Sequence, residues 1–393
     1  MKKILFISWD GPQTSYMEGL FFPIFEEIQK QSNFQFHVLQ FTWANAAKID
    51  VVKEAANQAG VTYTAAAISR KPIVSIGSFL TALKGTKLIQ KYLTEHKIDI
   101  LLPRSTFPAM IVNRLKHGKV KIVFDADGLA IDERVDFSGL SNKSLMYKFL
   151  KNEEKKLLKR ANYVLTRSQK AIDIHVNTIG EEFRDKFYVV TNGRNSEHFK
   201  PSEDQRHRIR KTLKLTDDTI LFVYCGSLGP QYGWEKMMAI FGDYHQAHPA
   251  AHFLILTGNI EFAEKNLDES LRNNCTIKSV PFIEVPNYLS AVDVAFAIRI
   301  PTYSMQGVAP IKLGEYLLMG VPTIASKGIG DSEEILNNIE GNYLFDHQDP
   351  ENIQNAITFV ENLKDHQREL REAGITYFSI ENSAKSYIKA LDK

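Results

Sequence analysis

Cysteine is scarce in this chain, and long apolar segments are missing from it. Its 393 residues include two cysteines, Cys225 and Cys275, which are too few for the disulfide framework of a small secreted protein. No run of about 18 apolar residues occurs, so no membrane-spanning helix is expected. The first apolar run ends at Trp9 without the small residues of a signal-peptide cleavage site. We therefore expect the protein to be cytoplasmic.

An excess of charge of one sign is also lacking. The chain has 48 basic and 46 acidic side chains, and this net charge of +2 does not favour a nucleic-acid partner. A hydrophobic fraction of 44% and an aromatic fraction of 11% are ordinary for globular proteins and exclude a disordered or collagen-like chain. The length predicts two domains, each with its own core.

Short apolar runs alternate with amphipathic stretches along the whole chain. The runs are too short for helices and predict buried parallel strands at 4–8, 36–39, 98–102, 122–124 and 163–165, and again at 220–224, 253–256, 294–296 and 323–325. Strand–helix–strand repetition predicts an α/β fold with two doubly wound sheets. The turn-rich segment near residue 198 predicts a boundary between domains 1–197 and 198–376.

The most informative segment covers residues 309–323. Pro310 suits the first turn of a helix, where the free N–H groups of Ile311 and Lys312 would favour an anion. Glu315 shares a helix face with Lys312 and is able to accept hydrogen bonds from a vicinal diol such as a ribose. An ordinary surface Lys–Glu pair on a capped helix is the alternative.

Three further segments precede it. Asn192-Gly193 is followed by Phe199-Lys200-Pro201, then by the glycine loop Gly226-Ser227-Leu228, and then by a Pro-x-x-Leu-x-x-x-Asp-Val pattern at 286–294. A glycine loop after a strand lets a ligand approach the backbone, although many such loops are only tight turns. In this order and spacing, the four segments resemble the family 4 retaining glycosyltransferases.

This resemblance implies the GT-B fold, in which two Rossmann-like domains face a cleft and a C-terminal helix, here 377–393, crosses back to the first domain. It implies a glycosyltransferase that moves a sugar from a UDP- or GDP-sugar to a glycan or lipid-linked acceptor with retention of configuration. Synthesis of cell-surface polysaccharide is the implied role, and neither a metal nor a cofactor is expected.

The resemblance also assigns the donor side of the site. Gly226, Ser227 and Ile311 would lie along the nucleotide, Lys312 would neutralise the leaving diphosphate as a catalytic group, and Glu315 would hold the ribose.

Three positions depart from the family pattern. Gly307 stands where the family has its first, sugar-contacting glutamate, and Ser227 and Tyr232 replace the Arg and Lys of the glycine loop. Lys312 and Arg299, the latter at the end of the strand before the 309–323 segment, are expected to supply positive charge to the donor instead.

In the first domain, Asp125 and Asp127 follow a strand and are the candidate catalytic residues that position the acceptor hydroxyl. Gly11, Gln13 and Glu133 are further candidates on the acceptor side. A metal held by the two aspartates and simple capping of a turn are the alternatives. The GT-B resemblance argues against the metal.

Residues 141–160 form a basic amphipathic stretch with seven Lys or Arg and two Glu. Such a helix is able to lie on an anionic membrane surface, which would place the protein at the inner face of the membrane. The alternative, which the sequence favours, is a solvated helix whose apolar stripe packs on its own sheet. Two other functions stay open: a sugar-nucleotide epimerase or hydrolase, and a catalytically silent subunit that binds a nucleotide-sugar.

Overall fold

A computed structural model describes residues 1–116, 118 and 120–393. The chain forms two compact units. The first unit comprises Met1–Asn192, Gln306–Val308 and Ser383–Lys393, and the second comprises Gly193–Met305 and Ala309–Asn382. The main division therefore follows Asn192, whereas the sequence pattern places a boundary after residue 197.

The first unit is built on a parallel sheet of seven strands. They are β1 (Lys2–Asp10), β2 (Phe34–Thr42), β3 (Thr62–Ala67), β4 (Ile100–Pro103), β5 (Lys121–Asp127), β6 (Tyr163–Thr166) and β7 (Phe187–Val189). Their order is β3-β2-β1-β4-β5-β6-β7, and every pair is parallel. The order reverses between β1 and β4, where ligands of doubly wound sheets bind at the carboxyl ends of the strands.

Helices connect these strands. They are α1 (Phe22–Gln31), α2 (Ala46–Gln58), α3 (Val74–His96), α4 (Thr106–Val112), α5 (Ala130–Phe137), α6 (Leu145–Arg160) and α7 (Gln169–Ile179). A π-helical turn at Met17–Phe21 precedes α1, and a 3-10 turn at Glu181–Lys186 precedes β7. Side chains of Asn45, Ser144 and Ser168 cap the starts of α2, α6 and α7, because each accepts a hydrogen bond from a first-turn N–H.

The second unit contains a parallel sheet of six strands in the order β10-β9-β8-β11-β12-β13. They are β8 (Leu221–Cys225), β9 (His252–Leu256), β10 (Cys275–Lys278), β11 (Val294–Ala297), β12 (Thr323–Ser326) and β13 (Asn342–Phe345). The order reverses between β8 and β11, so the carboxyl ends of these two strands mark the place for a ligand in this unit.

The helices of the second unit are α8 (Glu203–Thr212), α9 (Trp234–Ala247), α10 (Ile260–Asn266), α11 (Val285–Leu289), α12 (Ile311–Leu318), α13 (Ser332–Leu336), α14 (Asn352–Glu361) and α15 (Gln367–Phe378). Short 3-10 turns lie at Glu269–Asn274, Phe282–Glu284 and Ser304–Gly307. The last helix, α16 (Ile380–Leu391), begins after a break at Ser379, within the range 377–393 expected for it, and its residues from Ser383 onward belong to the first unit.

Two doubly wound parallel sheets confirm the predicted α/β fold class. Each of the nine predicted apolar runs lies in or overlaps a strand. In the described part of the chain, no helix combines the length and the apolar character that a membrane span requires.

Candidate functional site

Helix α12 is held tightly at the carboxyl edge of the second sheet. Leu313 and Leu317 are fully buried. A Cβ on Gly314 would lie 2.7 Å from the Phe378 ring, so glycine permits the close approach of α15. The Tyr316 hydroxyl accepts a hydrogen bond from the backbone N–H of Cys225 at 2.9 Å, which ties the helix to the end of β8. The predicted anion-binding helix is therefore fixed beside the predicted glycine loop.

Glu315 lies on this helix with no exposed side-chain surface, and two cations hold its carboxylate. Lys312 Nζ lies 2.8 Å from Oε2, and Arg194 Nε lies 2.8 Å from Oε1. Burial opposes ionisation, but Lys312 and Arg194 keep the pKa of Glu315 below its usual value. The carboxylate is thus charged and fully paired in the free protein.

Lys312 is the accessible member of this cluster, with 33% of its side chain exposed. Burial disfavours its ammonium form, yet the neighbouring Cys225 and Glu315 raise the pKa of Lys312 to about 12. Ile311, the other predicted residue of this turn, is half-buried at the first position of α12. Pro310 precedes it, and no side chain among the described residues caps this helix end. A full positive charge and uncapped N–H groups therefore share one helix terminus.

Arg194 was missed by the sequence reasoning because its partner is distant in sequence. Its backbone N–H donates to Phe378 O at 2.8 Å, and its carbonyl accepts from Ile380 N at 2.8 Å. The break between α15 and α16 thereby positions the arginine at the side of Glu315. The sequence signal for Arg194 was its position directly after Asn192-Gly193, since a charged residue within a family motif is a candidate for the site.

The glycine loop follows β8 and lies next to Lys312. A Cβ on Gly226 would lie 3.6 Å from Lys312 Cε, and the Gly226 N–H donates to Leu256 O at 2.9 Å. Ser227 is exposed, and its carbonyl accepts a hydrogen bond from the Tyr224 hydroxyl. The loop thus brings Gly226 next to Lys312, and Ser227 follows as its exposed neighbour.

Arg299 lies against Tyr232, one of the positions that depart from the family pattern. Its guanidinium lies over the Tyr232 ring, 4.9 Å from the centroid. The Arg299 N–H donates to Ser326 Oγ at 3.0 Å, and this hydroxyl also contacts His347 Nε2 at 2.8 Å. Burial lowers the pKa of His347, so the histidine adds no full charge at neutral pH. Arg299 is therefore a cation held against the ring of Tyr232.

An exposed aromatic ring adjoins Arg194. Phe282 is 46% exposed, and the Arg194 guanidinium lies 5.4 Å from its ring centroid. The rings of His198 and Phe199 support it from other sides, with centroids 5.4 Å and 5.7 Å away. Phe282 is therefore an exposed ring beside the cation that holds Glu315. No sequence signal had marked it.

In the first unit, Asp125 is buried inside a network of arginines. Arg104 Nη1 and Arg167 Nη2 lie 3.0 Å and 2.8 Å from its Oδ2. Burial opposes ionisation, but these arginines hold the pKa of Asp125 below its usual range. Asp127 is 30% exposed, with its Oδ2 2.7 Å from Arg104 Nη2. Asp127 is therefore the carboxylate of the pair that a ligand is able to reach.

The other acceptor-side candidates lie in different settings. Gly11 is buried against Trp43, because a Cβ there would lie 2.3 Å from Trp43 Cζ2, whereas Gln13 is exposed. Glu133 is half-buried in the first turn of α5. Across residues 1–116, 118 and 120–393, no three His, Cys, Asp or Glu side chains lie together in a way that could hold a metal ion.

Gly307, at the position of the missing glutamate, packs backbone to backbone in the first unit. A Cβ on Gly307 would lie 2.8 Å from Leu129 N, and a Cβ on Gly128 would lie 2.4 Å from Gly307 O. The neighbouring carbonyl of Gln306 accepts a hydrogen bond from Ser168 Oγ at 2.6 Å. This packing leaves no space for any side chain at position 307.

The two doubly wound units define the GT-B class of fold, as solved structures confirm. Anabaena Alr3699/HepE in complex with UDP and glucose is 15% identical, with all of both chains covered and a TM-score of 0.72. Sucrose-phosphate synthase from Thermosynechococcus elongatus is 14% identical over 100% of this chain and 98% of its own, with a TM-score of 0.72. The apo lipopolysaccharide outer core galactosyltransferase WaaB is 15% identical over 99% of each chain, with a TM-score of 0.67. At these identities the likeness shows the fold.

A more particular match concerns the second unit. Residues 205–377 match the family model described as glycosyl transferases group 1. The matched segment includes Gly226, Arg299, Lys312 and Glu315. None of the curated proteins matches the chain in sequence. The family match thus concerns this segment, and the solved structures show the GT-B fold of the whole chain.

Proposed function

We propose that this protein is a glycosyltransferase that moves a sugar from a UDP-sugar to a glycan or lipid-linked acceptor with retention of configuration. The observation that carries the proposal is the cluster of Arg194, Lys312 and Glu315 beside Gly226, at the carboxyl edge of the second sheet. The family match over residues 205–377 supports it, and the UDP bound to Anabaena HepE favours this nucleotide.

The diphosphate of the donor binds at the start of α12. The Lys312 ammonium is partly exposed there, and the first N–H groups of the helix carry the positive end of its dipole. Arg299 on Tyr232 adds a cation at the glycine loop. These charges stabilise the negative charge that develops on the leaving UDP in the transition state.

The ribose binds when one oxygen of Glu315 exchanges Lys312 for a ribose hydroxyl. In the free protein both oxygens of Glu315 are engaged by Lys312 and Arg194 at 2.8 Å. When Lys312 turns to the diphosphate, Oε2 becomes free to accept a hydrogen bond from a ribose hydroxyl, while Arg194 continues to hold Oε1. The base then packs on Phe282, which the Arg194 guanidinium also contacts.

The acceptor contacts Asp127 in the first unit, the exposed carboxylate of the Asp125–Asp127 pair. In the transfer step the bond between the anomeric carbon and the UDP oxygen breaks, and the acceptor oxygen bonds to the same face of that carbon. The acceptor proton passes to a phosphate oxygen of the departing UDP. Retention is proposed from the family resemblance, and this step requires no covalent protein nucleophile.

A second candidate function is a silent subunit that binds a nucleotide-sugar without turnover. Gly307 favours it, since the packing against Gly128 and Leu129 excludes the carboxylate that the family places near the donor sugar. This candidate shares the donor site with the transferase and lacks the chemical step. A hydrolase or epimerase of the same fold would instead convert the donor in the absence of an acceptor.

The test incubates the protein with UDP-glucose, UDP-galactose and UDP-N-acetylglucosamine, each with and without glycan and lipid-linked acceptors. Acceptor-dependent release of UDP, together with an anomeric configuration by NMR that matches the donor, would support the retaining transferase. Binding of a UDP-sugar without turnover would establish the silent subunit. Donor conversion without an acceptor would establish the hydrolase or epimerase, and inversion would refute retention. Lys312→Ala is the variant expected to lose activity, and Lys265→Ala, an exposed lysine on α10, is the matched control.

A further inference from the structure

The first half of helix α3, residues 74–88, buries small side chains and exposes large ones, whereas Ile89, Tyr92 and Leu93 in its second half are buried. The buried positions include Ser78, Thr81 and Ala82, together with the glycines at 77 and 85. The outward positions include Ile76, Phe79, Leu80 and Leu83, which are 41% to 47% exposed. An amphipathic surface helix of a globular protein normally does the reverse.

Close backbone contacts set this orientation. A Cβ on Gly77 would lie 2.4 Å from Ser69 O, and a Cβ on Gly85 would lie 3.1 Å from both Phe41 and Ile111. Thr81 Oγ1 donates to Gly77 O at 2.8 Å and accepts from Ser69 N at 2.9 Å. Larger side chains do not fit at these positions, so the large apolar side chains of residues 76–83 point outward.

The start of α6 extends the exposed apolar area. Leu145 is 84% exposed, and Met146 is exposed as well. The rings of Phe79 and Phe149 are in contact, with centroids 6.4 Å apart, which joins this end of α6 to α3. Further along α6, Leu150 and Leu157 are buried, so that part of the helix packs inside the first unit. We call the exposed side chains of 73–88 and 145–146 the α3 surface.

The charges around the α3 surface are mostly positive, and the nearest acidic residue on the helix, Glu95, lies at its far end, where it pairs with Lys91 at 3.5 Å. Residues 55–94 contain five basic side chains and no acidic one, although the chain as a whole has 48 basic and 46 acidic residues. They are Arg70, Lys71, Lys84, Lys87 and Lys91. At the start of α6, Lys143 and Lys148 are exposed beside Leu145 and Met146. The α3 surface is thus apolar at its centre and cationic at its border.

We propose that the α3 surface docks on a bilayer that contains anionic phospholipids. Large apolar side chains flanked by lysines match the interfacial region of such a bilayer, where the former enter the acyl boundary and the latter meet phosphate headgroups. A second copy of this chain fits less well, because a symmetric contact would bring the same lysines together. The structure therefore moves the expected membrane contact from residues 141–160 to α3 and the first turn of α6.

Vesicle binding tests this proposal on the whole protein. Co-flotation is measured with vesicles of phosphatidylcholine alone and with equal parts of phosphatidylglycerol and phosphatidylcholine. Two variants remove the two components separately: Ile76→Ser/Leu80→Ser/Leu83→Ser and Lys84→Glu/Lys87→Glu. The control Lys211→Glu/Lys265→Glu makes the same change in charge at exposed lysines of the second unit. Circular dichroism and thermal unfolding check that each variant folds, which keeps this test independent of the donor site.

We expect the wild type to bind the anionic vesicles more weakly as salt increases, and not the neutral ones. The lysine variant should bind at least about tenfold more weakly, since each lysine near the surface contributes about fivefold to the affinity and two are replaced. The apolar variant should lose at least as much, because three large apolar side chains no longer enter the acyl boundary. The control should bind like the wild type. Equal binding by the folded α3 variants, or no binding of the wild type, would overturn the proposal. Self-association that the apolar variant abolishes, without vesicle binding, would assign the surface to a second copy instead.

Discussion

Replacement of Glu315 by glutamine tests whether the second unit depends on its buried carboxylate. Glu315 has no exposed side-chain surface, and Lys312 and Arg194 each lie 2.8 Å from one of its oxygens. Glutamine keeps the shape of the side chain and one acceptor oxygen. It removes the negative charge and turns an NH2 group toward one of the two cations. The perturbation is therefore electrostatic and leaves the packing of α12 intact.

The expected cost follows from the burial of the three groups. Loss of one partner from a buried ion pair destabilises a protein by about 3–5 kcal/mol. The lower end applies here, because Lys312 is 33% exposed and regains water when its partner is lost. We therefore expect Glu315→Gln to lower the free energy of unfolding by about 3 kcal/mol, or the Tm of this unit by about 6–12 °C.

Trp234 provides the assay, since it is buried in the second unit while the other two tryptophans, Trp9 and Trp43, lie in the first. Urea unfolding is followed by Trp234 fluorescence in a Trp9→Phe/Trp43→Phe background. The control Glu261→Gln changes an exposed glutamate of α10 and should alter the free energy by less than about 0.5 kcal/mol. A loss below about 1 kcal/mol in Glu315→Gln would refute the account of a stabilising buried pair.

The pH dependence gives a second readout of the same pair. Despite burial, Lys312 and Arg194 hold the pKa of folded Glu315 below the ordinary value of 4.5, so the unfolded chain takes up the proton at higher pH. The stabilisation is complete above about pH 4.5 and is lost as the pH falls through the folded pKa. The difference between wild type and Glu315→Gln should therefore be constant near neutrality and shrink in acid.

Three further variants test other parts of the site. Asp127→Asn should retain UDP binding and reduce transfer to the acceptor in a coupled assay, because it removes the charge of the carboxylate proposed to contact the acceptor. Asparagine tolerates the positive φ of 62° at this position, so the fold should be kept. Unchanged turnover would leave Asp127 with a structural role alone. Gly307→Ala should destabilise the first unit by about 1–3 kcal/mol in urea unfolding, because the added Cβ would clash with the backbone of Leu129. The control Gly258→Ala, whose Cβ would meet nothing within 4 Å, should not change the stability. Equal stabilities of the two variants would contradict the close packing. Phe282→Ala should weaken UDP binding about tenfold in calorimetry through loss of stacking, and an unchanged affinity would move the base elsewhere.

The central strands of both sheets were predictable because they are continuous apolar runs. The edge strands were not. The sequence of β3, Thr-Tyr-Thr-Ala-Ala-Ala, is mostly half-exposed and lacks such a run, and β7, β10 and β13 share this partial exposure. Edge strands are covered on fewer sides, so their residues carry a weaker pattern.

The donor side of the candidate site was outlined by local motifs, and its long-range contacts were not. Lys312 and Glu315 are three residues apart, so one helical turn predicts their contact. Arg194 reaches Glu315 across 121 positions in sequence, through the break between α15 and α16, and no local pattern encodes that contact. The outward apolar face of α3 was not predictable for a similar reason. Its small residues are buried because they pack against Ser69, Phe41 and Ile111, which are distant in sequence.

Titration of UDP by isothermal calorimetry, in the presence of EDTA, tests the central claim most directly. The account predicts that the wild type binds UDP and that Lys312→Ala binds it at least about tenfold more weakly, because a charge-assisted hydrogen bond to the diphosphate contributes about 1.5–3 kcal/mol. Lys265→Ala should bind like the wild type. No binding of UDP by the wild type, or equal affinities of wild type and Lys312→Ala, would contradict a donor site at the start of α12.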